Sequence, residues 1–361
     1  MAMGSAVSRV PVANAPSRLD ALYEFRLATL DDVDAIMAFY RAEWGATHIL
    51  ACDRDYFLYQ HAVGERVNFM LAIHRASGEI HAAEGFIQYS RDLCDVGAVM
   101  WKVGSKCRTP MLGVEVVRRL KQATGCRVYL GPGANPKTAV PLHQRVLGHA
   151  VGRLEHFYLL DDRADFRVAV VDRIPSFDNV LGSGFTLTPV AEFEDVERRF
   201  DFSAWIDRRP YKDGWYVRRR YFAHPIYRYR VFFADDQEGH CRALLVAREI
   251  ARDGATVLRI VDLVGDTAVL AGLGQAFNAL LRRGGYEYLD LYAKGLDHAA
   301  MSAAGFTCKQ DGDPNVIPNY FEPFVQRNVD IWYSLSDPDA LLFKADGDQD
   351  RPNSRDAGTA Q

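Results

Sequence analysis

The sequence has no apolar segment long enough to cross a membrane. Apolar runs such as residues 168–171 are far shorter than the roughly 20 residues that a membrane-spanning helix needs. The first 20 residues are small and polar and lack the apolar core of a secretory signal. We therefore expect a cytoplasmic protein without a transmembrane segment.

Cysteines are few, and none occurs in a C-x-x-C pair or near a histidine at a spacing typical of zinc sites. They are Cys52, Cys94, Cys107, Cys126, Cys241 and Cys308. The G-x-S-x-G and H-E-x-x-H motifs are missing as well. The late segment ADGDQD has aspartates 346, 348 and 350 at calcium-loop spacing. Arg351 stands where such a loop has its invariant glycine, and the glutamate at the end of the loop is missing. We predict reduced thiols, no bound metal and a solvated C-terminal tail.

Positive charge is not concentrated in any part of the chain. The formal net charge is -4, and the arginine pairs are scattered along the sequence. A nucleic-acid-binding protein usually carries a basic patch or stripe. We therefore predict small-molecule partners and no nucleic acid.

The composition is that of a globular protein, with 48% hydrophobic and 25% charged residues. A helix, a hairpin, a strand, a helix, a strand, a helix and a strand follow one another in residues 23–172, and the same order returns in residues 187–335. This repeat predicts two similar α/β (α+β) domains, each with a mixed, mostly antiparallel sheet flanked by helices. Residues 173–186 are predicted to link them, 1–22 to be disordered, and 336–361 to form a polar tail.

The last helix of each repeat has a characteristic outline. NPKTAVPLHQRVLGH (135–149) opens on an Asn and closes on Leu-Gly-aromatic, and LDHAAMSAAGF (296–306) is similar. With the order of elements, this outline resembles a tandem pair of domains of the GCN5-related N-acetyltransferase (GNAT) superfamily. VRRRYFAHPIYRY, LRIVDLVGD and NYFEPF are similar to acyltransferase-like proteins of bacterial cell-surface polysaccharide gene clusters. The resemblance implies acyl-CoA, such as acetyl-CoA, as donor and an amino sugar, sugar nucleotide or related precursor as acceptor.

The resemblance also implies where the donor binds. In this superfamily the pyrophosphate rests on backbone N–H groups before a helix, here in the first domain. The candidate donor-binding residues are Val103, Lys106, Arg108, Leu112 and Gly113. Arg108 and Gly113 match the loop of the superfamily, and Lys106 adds a positive charge, although a solvated basic loop before an ordinary amphipathic helix is the alternative. Backbone N–H groups near Val103 would polarise the thioester carbonyl. In the second domain, Asp266 follows the strand directly and leaves no room for such a loop.

Three further residues of the first domain are candidates for binding and chemistry. The resemblance implies that Asn135 contacts the pantetheine arm, although an Asn followed by Pro is also an ordinary helix cap. His143 occupies the position of the acid that protonates the departing thiolate, or it is simply a helical histidine. Glu84 lies on a strand among small and apolar residues, where burial would raise its pKa and suit it to act as a base.

The second domain offers residues suited to a sugar ring, or alternatively to the edge of the core. They are Arg220, His224, Tyr227, Asp262, Tyr292 and Tyr320. Asp262 lies in mid-strand, where an unpaired charge is costly, so pairing with Arg259 or Arg220 is an alternative.

Two other functions stay open on the sequence. One is a non-catalytic GNAT-fold protein that binds glycans or scaffolds polysaccharide assembly. The other is a tandem-domain ligase that uses aminoacyl-tRNA as donor.

Overall fold

The computed structural model describes residues 18–92, 95–175 and 181–355. Most of the predicted disordered N-terminal segment, part of the predicted linker, and Cys94 lie outside these ranges. The strands are β1 Tyr23–Thr29, β2 Ala62–Val63, β3 Arg66–His74, β4 Ile80–Gln88, β5 Val96–Val103, β6 Tyr129–Pro132, β7 Ala150–Arg153, β8 Glu155–Leu160, β9 Thr186–Val190, β10 Arg230–Asp235, β11 Cys241–Arg252, β12 Ala255–Gly265, β13 Tyr288–Lys294, β14 Thr307–Cys308, β15 Tyr320–Phe321, β16 Phe324–Val325, β17 Trp332–Leu335 and β18 Leu342–Phe343.

The α-helices are α1 Val33–Glu43, α2 Ile49–Cys52, α3 Arg54–His61, α4 Leu112–Thr124, α5 Ala139–Arg145, α6 Phe193–Arg199, α7 Gly214–Val217, α8 Gly274–Gly284 and α9 His298–Ala303. Short 3₁₀ turns cover Arg18–Ala21, Leu30–Asp32, Phe202–Trp205, Thr267–Gly272 and Lys344–Asp346, and a π-helical turn covers Arg218–Phe222. Among the described residues, no helix combines the length and the apolar character needed to span a bilayer.

The strands form two large sheets. The first has the order β1-β3-β4-β5-β6-β17-β7, and the second has the order β14-β8-β13-β12-β11-β10-β9. Most neighbouring strands are antiparallel, and each sheet contains a parallel pair, β5 with β6 and β12 with β13. The predicted fold class, mixed α/β with mostly antiparallel sheets flanked by helices, is confirmed.

Helix α4 shows how the sequence pattern produces this packing. Its buried residues Leu112, Val116, Val117 and Leu120 recur at helical spacing and pack with β-strand side chains in one apolar cluster. Gly125 then ends the helix in the left-handed conformation (φ 61°), and its N–H bonds to the carbonyl of Lys121.

The two halves of the chain exchange strands. β8, from the segment predicted as the first domain, lies in the second sheet between β14 and β13. β17, from the segment predicted as the second domain, lies in the first sheet between β6 and β7. Each predicted segment therefore supplies strands to both sheets.

The prediction of a solvated C-terminal tail is wrong for residues 342–347 and for Asp350, which are buried. Leu342, Phe343, Asp346 and Asp350 are all at most 1% exposed. β18 pairs with β13, and buried cations of the second half hold the two aspartates. These ion pairs explain why so polar a segment can be buried.

Candidate active site

The parallel strands β5 and β6 separate soon after they meet. They are paired at Val96 with Tyr129 and at Gly97 with Leu130, and among the described residues β5 has no strand partner on that side from Ala98 onward. A cavity of about 1010 Å³ opens between them. A ligand can therefore reach the middle of the sheet.

A β-bulge shapes the wall of this cavity. The pairing of β4 with β5 shifts from Ala83–Lys102 to Gly85–Val99, so β5 carries one extra residue there. Met100, inside the bulge, has φ 56°, and its carbonyl accepts a hydrogen bond from the Tyr40 hydroxyl. The irregular backbone thus lies just before Val103, where carbonyl-polarising N–H groups were expected.

Glu84 reaches the cavity from β4 and is completely buried. Burial raises the pKa of Glu84 to about 8, although a hydrogen bond from Tyr129 partly offsets the rise. The Tyr129 hydroxyl lies 2.5 Å from Oε1, while Oε2 is buried without a hydrogen-bond partner in the described part of the chain. A buried acceptor of this kind is normally satisfied by water or ligand.

His143 lines the same cavity from α5 and is 3% exposed. Burial, and then the charge of Lys121, lower the pKa of His143 to about 4, so the ring is neutral at pH 7. Its Nδ1 lies 3.1 Å from Nδ1 of His149, whose Nε2 lies 3.2 Å from the Lys121 ammonium. Because an ammonium group can only donate, His149 accepts at Nε2 and donates from Nδ1. His143 then carries its proton on Nε2.

Asn135 caps the turn that leads into α5. Its Oδ1 accepts from the backbone N–H of Lys137 at 2.9 Å and of Thr138 at 3.3 Å. The residue is exposed and lines the cavity. Capping occupies only the oxygen, so the amide NH₂ group remains for a ligand.

The predicted donor loop lies beside the cavity. Val103 is among the cavity-lining residues, and Leu112 and Gly113 open helix α4 next to it. A Cβ on Gly113 would lie 2.8 Å from Val103 Cγ2, so the absent side chain permits this close packing. Lys106 is exposed and paired with Glu79, and Arg108 donates to the carbonyl of Ser105.

Solved structures share this architecture. A GCN5-related N-acetyltransferase from Anabaena variabilis ATCC 29413 matches with a TM-score of 0.52 and 10% identity, over 87% of this chain and 72% of that chain. A conserved protein of unknown function from Enterococcus faecalis V583, described as a probable N-acyltransferase, matches with a TM-score of 0.52 and 7% identity, over 88% and 73%. The fold is that of the GCN5-related N-acetyltransferases. No protein-family model and no curated protein matches the chain.

Of the acceptor residues predicted from the second half of this GNAT-like chain, the structure brings Tyr320 to the cavity. The others are buried outside its lining: Arg220, His224, Tyr227, Asp262 and Tyr292. The suggested pairing of Asp262 with Arg259 or Arg220 is wrong. Asp262 instead bonds to Lys212 and to the Tyr221 hydroxyl, both at 2.5 Å, and Arg259 pairs with Asp290.

Several lining residues of the GNAT-like site were missed at the sequence level. They are Glu43, Trp44, Tyr129, Asp330, Trp332, Asp348, Gln349 and Arg351. Tyr129 carried a usable signal, since it stands on the strand just before the helix of His143. The late residues carried none, because they reach the site only through strand exchange and through burial of the C-terminal segment.

Two clusters of the described residues hold metal-ligand side chains close together. They are Glu155 with His298 and Cys308, and Asp236 with Glu238 and His240. None of these residues lines the cavity of the GNAT-like domain. The expectation of a metal-free site stays a prediction.

Proposed function

We propose that the protein transfers an acyl group, such as acetyl, from acyl-CoA to the amine of an amino sugar. The observation that carries the proposal is the buried Glu84 at the base of a cleft between splayed strands. Its pKa of about 8 means that it can both accept and release a proton near neutral pH. Because Glu84 is buried, we place the reaction in the cavity between β5 and β6 and not at the protein surface.

In the proposed reaction the ionised Glu84 carboxylate accepts one proton from the neutral amine of the acceptor as the nitrogen attacks. The amine nitrogen forms a bond to the thioester carbonyl carbon, and the carbon–sulfur bond then breaks. Backbone N–H groups of the bulge around Met100 stabilise the oxyanion. His143 gives its Nε2 proton to the departing sulfur while its Nδ1 takes the Nδ1 proton of His149. The Lys121 ammonium, 3.2 Å from His149 Nε2, then replaces that proton.

The donor is proposed to enter along β5. Its pantetheine arm would pass Val103 and the free amide of Asn135. The pyrophosphate would meet the N-terminal turn of α4 at Leu112 and Gly113, where unpaired N–H groups and the helix dipole favour an anion. The exposed Arg108 would add positive charge beside this turn, whereas Lys106 is already paired with Glu79.

The acceptor half of the cavity supports an amino sugar. Trp44, Trp332 and Tyr320 provide aromatic faces, and Asp330, which Arg153 also contacts, provides a carboxylate. Carboxylates attract an ammonium group and repel a pyrophosphate. A free or glycosidically linked amino sugar therefore suits the lining better than a sugar nucleotide.

The test is acetyl-CoA binding followed by turnover. Acetyl-CoA at 100 times its dissociation constant should stabilise the wild type by about 2.7 kcal/mol. Glu84→Gln, which still accepts the Tyr129 hydrogen bond, should bind acetyl-CoA as the wild type does but lose at least about 100-fold in kcat. No stabilisation would reject the proposal and favour the non-catalytic alternative. Stabilisation only by aminoacyl-tRNA would favour the ligase alternative.

A further inference from the structure

The C-terminal segment contacts both sheets and contributes residues to the cavity lining. We call residues 344–351 the C-terminal strap. It follows β18, which pairs with β13 of the second sheet, and then runs against β6 of the first. The approach is close, because a Cβ on Gly347 would lie 2.6 Å from the Pro132 ring.

One end of the strap is fixed by a buried lysine. The Lys212 ammonium lies 2.5 Å from Oδ1 of Asp346 and 2.5 Å from Oδ1 of Asp262. All three residues are buried. The Asp346 carbonyl also accepts a hydrogen bond from the Tyr89 hydroxyl, which belongs to the first half of the chain.

The other end is fixed by a buried arginine. Arg248 donates to Oδ1 of Asp350 at 2.9 Å, and the Tyr229 hydroxyl donates to Oδ2, also at 2.9 Å. Burial alone would raise the pKa of Asp350, but Arg248 outweighs it and holds that pKa well below its usual range. The carboxylate is therefore charged at every physiological pH.

Arg220 holds the backbone between these two anchors. Its Nη2 donates to the carbonyl of Asp350 at 3.1 Å and to that of Gly347 at 3.4 Å. Buried ion pairs add little net stability, since desolvation cancels most of the attraction, but they fix position. Arg220 and Asp262 were expected to contact the substrate. Arg220 instead binds the strap backbone, and Asp262 binds the lysine that holds Asp346.

The fixed stretch presents polar side chains to the cavity. Asp348, Gln349 and Arg351 all line it. Arg351 Nε is buried without a hydrogen-bond partner among the described residues, and it lies 3.5 Å from Oδ2 of Asp348. Gln349 makes two long contacts: its Oε1 lies 3.5 Å from the Tyr320 hydroxyl, and its Nε2 lies 3.4 Å from Oδ1 of Asp348. Side chains that alternate hydrogen-bond donors and acceptors, and that can form further hydrogen bonds, suit the neighbouring hydroxyls of a sugar ring.

We infer that the C-terminal strap is the acceptor-recognition element of the site, with Asp348 and Gln349 binding ring hydroxyls of a polyhydroxylated amine. The inference rests on the proposed function for the role of the amine. Asp346 and Asp350 are positioning residues, because they act through the backbone that carries Asp348 and Gln349.

The experiment compares two amines of similar ring size, glucosamine and cyclohexylamine, which lacks the hydroxyls. Binding is measured by calorimetry, with acetyl-CoA binding measured separately. Asp348→Ala and Gln349→Ala should each weaken glucosamine binding about tenfold, the loss expected for a hydrogen bond to a charged or well-placed polar group. Cyclohexylamine and acetyl-CoA binding should not change. Asp339→Ala is the matched control, because Asp339 is an exposed aspartate that lies shortly before the strap and outside the cavity lining.

A second variant tests the anchors. Asp350→Asn keeps the shape of the side chain but removes the charge that pairs with Arg248. It should accelerate amide hydrogen exchange in residues 344–351 and weaken glucosamine binding, with acetyl-CoA binding intact.

The outcomes separate the two proposals. Equal glucosamine affinity in Asp348→Ala, Gln349→Ala and the wild type would overturn the role of the strap, as would a wild type that prefers cyclohexylamine. Failure of the wild type to bind acetyl-CoA would overturn the acyltransferase proposal instead, and the glucosamine comparison would then decide the strap by itself.

Discussion

The Tyr129 hydroxyl donates a 2.5 Å hydrogen bond to Glu84 Oε1 at the base of the cavity. Both residues are at most 1% exposed. Burial raises the pKa of Glu84, and the donated bond lowers it because it favours the ionised form. Tyr129 therefore lowers the pH at which the proposed base becomes active.

Tyr129→Phe should move the activity profile to higher pH. Without the phenol the Glu84 carboxylate loses a hydrogen bond worth about 1.5–3 kcal/mol, so the rising limb of kcat/KM should shift upward by about one to two pH units. Tyr158→Phe, whose hydroxyl bonds to Asp313 away from the cavity, is the control. An unshifted profile would mean that another group acts as base.

Glu84→Gln should change how stability depends on pH. The folded protein keeps Glu84 protonated up to about pH 8, whereas the unfolded chain loses this proton near 4.5. Between those values the native state binds more protons, so this group makes the wild type lose stability as pH rises, by up to about 1.4 kcal/mol per unit. Denaturant unfolding at several pH values should show this component absent from Glu84→Gln. Parallel curves for the two proteins would contradict a raised pKa.

The paired histidines predict the opposite behaviour on the acid side. Burial, and then Lys121, lower the pKa of His149 to about 3, and His143 is lowered in the same way. Below the usual value of 6.5 the unfolded chain binds more protons, so these groups make stability fall as the solution is acidified. Lys121→Met should raise the pKa values of both histidines in an NMR titration. It should also reduce the loss of stability on acidification. Replacement of the exposed Lys137 by Met should change neither the pKa values nor the stability. Identical titrations in the two variants would mean that Lys121 does not lower the pKa values of the histidines.

Gly113→Ala should disturb the donor side of the cavity. The new Cβ would lie 2.8 Å from Val103 Cγ2 and 3.2 Å from the Trp101 ring, so β5 or α4 must move at a cost of about 1–3 kcal/mol. We expect a lower melting temperature together with weaker acetyl-CoA binding. Gly45→Ala, which meets no atom within 4 Å, should melt as the wild type does. Loss of stability without loss of acetyl-CoA affinity would place the donor elsewhere.

Local pattern was sufficient to predict most of the elements and the residues of the first half that surround the cavity. Glu84, His143, Asn135 and Val103 reach it because each stands at the end of, or within, an element whose periodicity is visible in the sequence. Their chemical roles stay predictions. The pKa of Glu84 follows from its apolar neighbours, which the sequence also shows.

Contacts between distant parts of the chain could not be predicted in this way. β17 is only four residues long, and nothing in WYSL indicates which sheet it joins. The segment around Asp346 and Asp350 is as polar as a disordered tail, and it is buried only because Lys212 and Arg248 lie opposite. The pairing of these aspartates with their cations can be recognised only when the fold is known, because the residues are far apart in the sequence.

The exchange of β8 and β17 has a consequence for synthesis on the ribosome. The first sheet cannot close until residues 332–335 emerge, about 180 residues after β7. At the usual 5–20 residues per second the unpaired edges of β6 and β7 stay open for roughly 10–40 s. During that interval the nascent chain presents strand edges that could pair with another chain, so its need for chaperone protection should end abruptly when the final strand arrives.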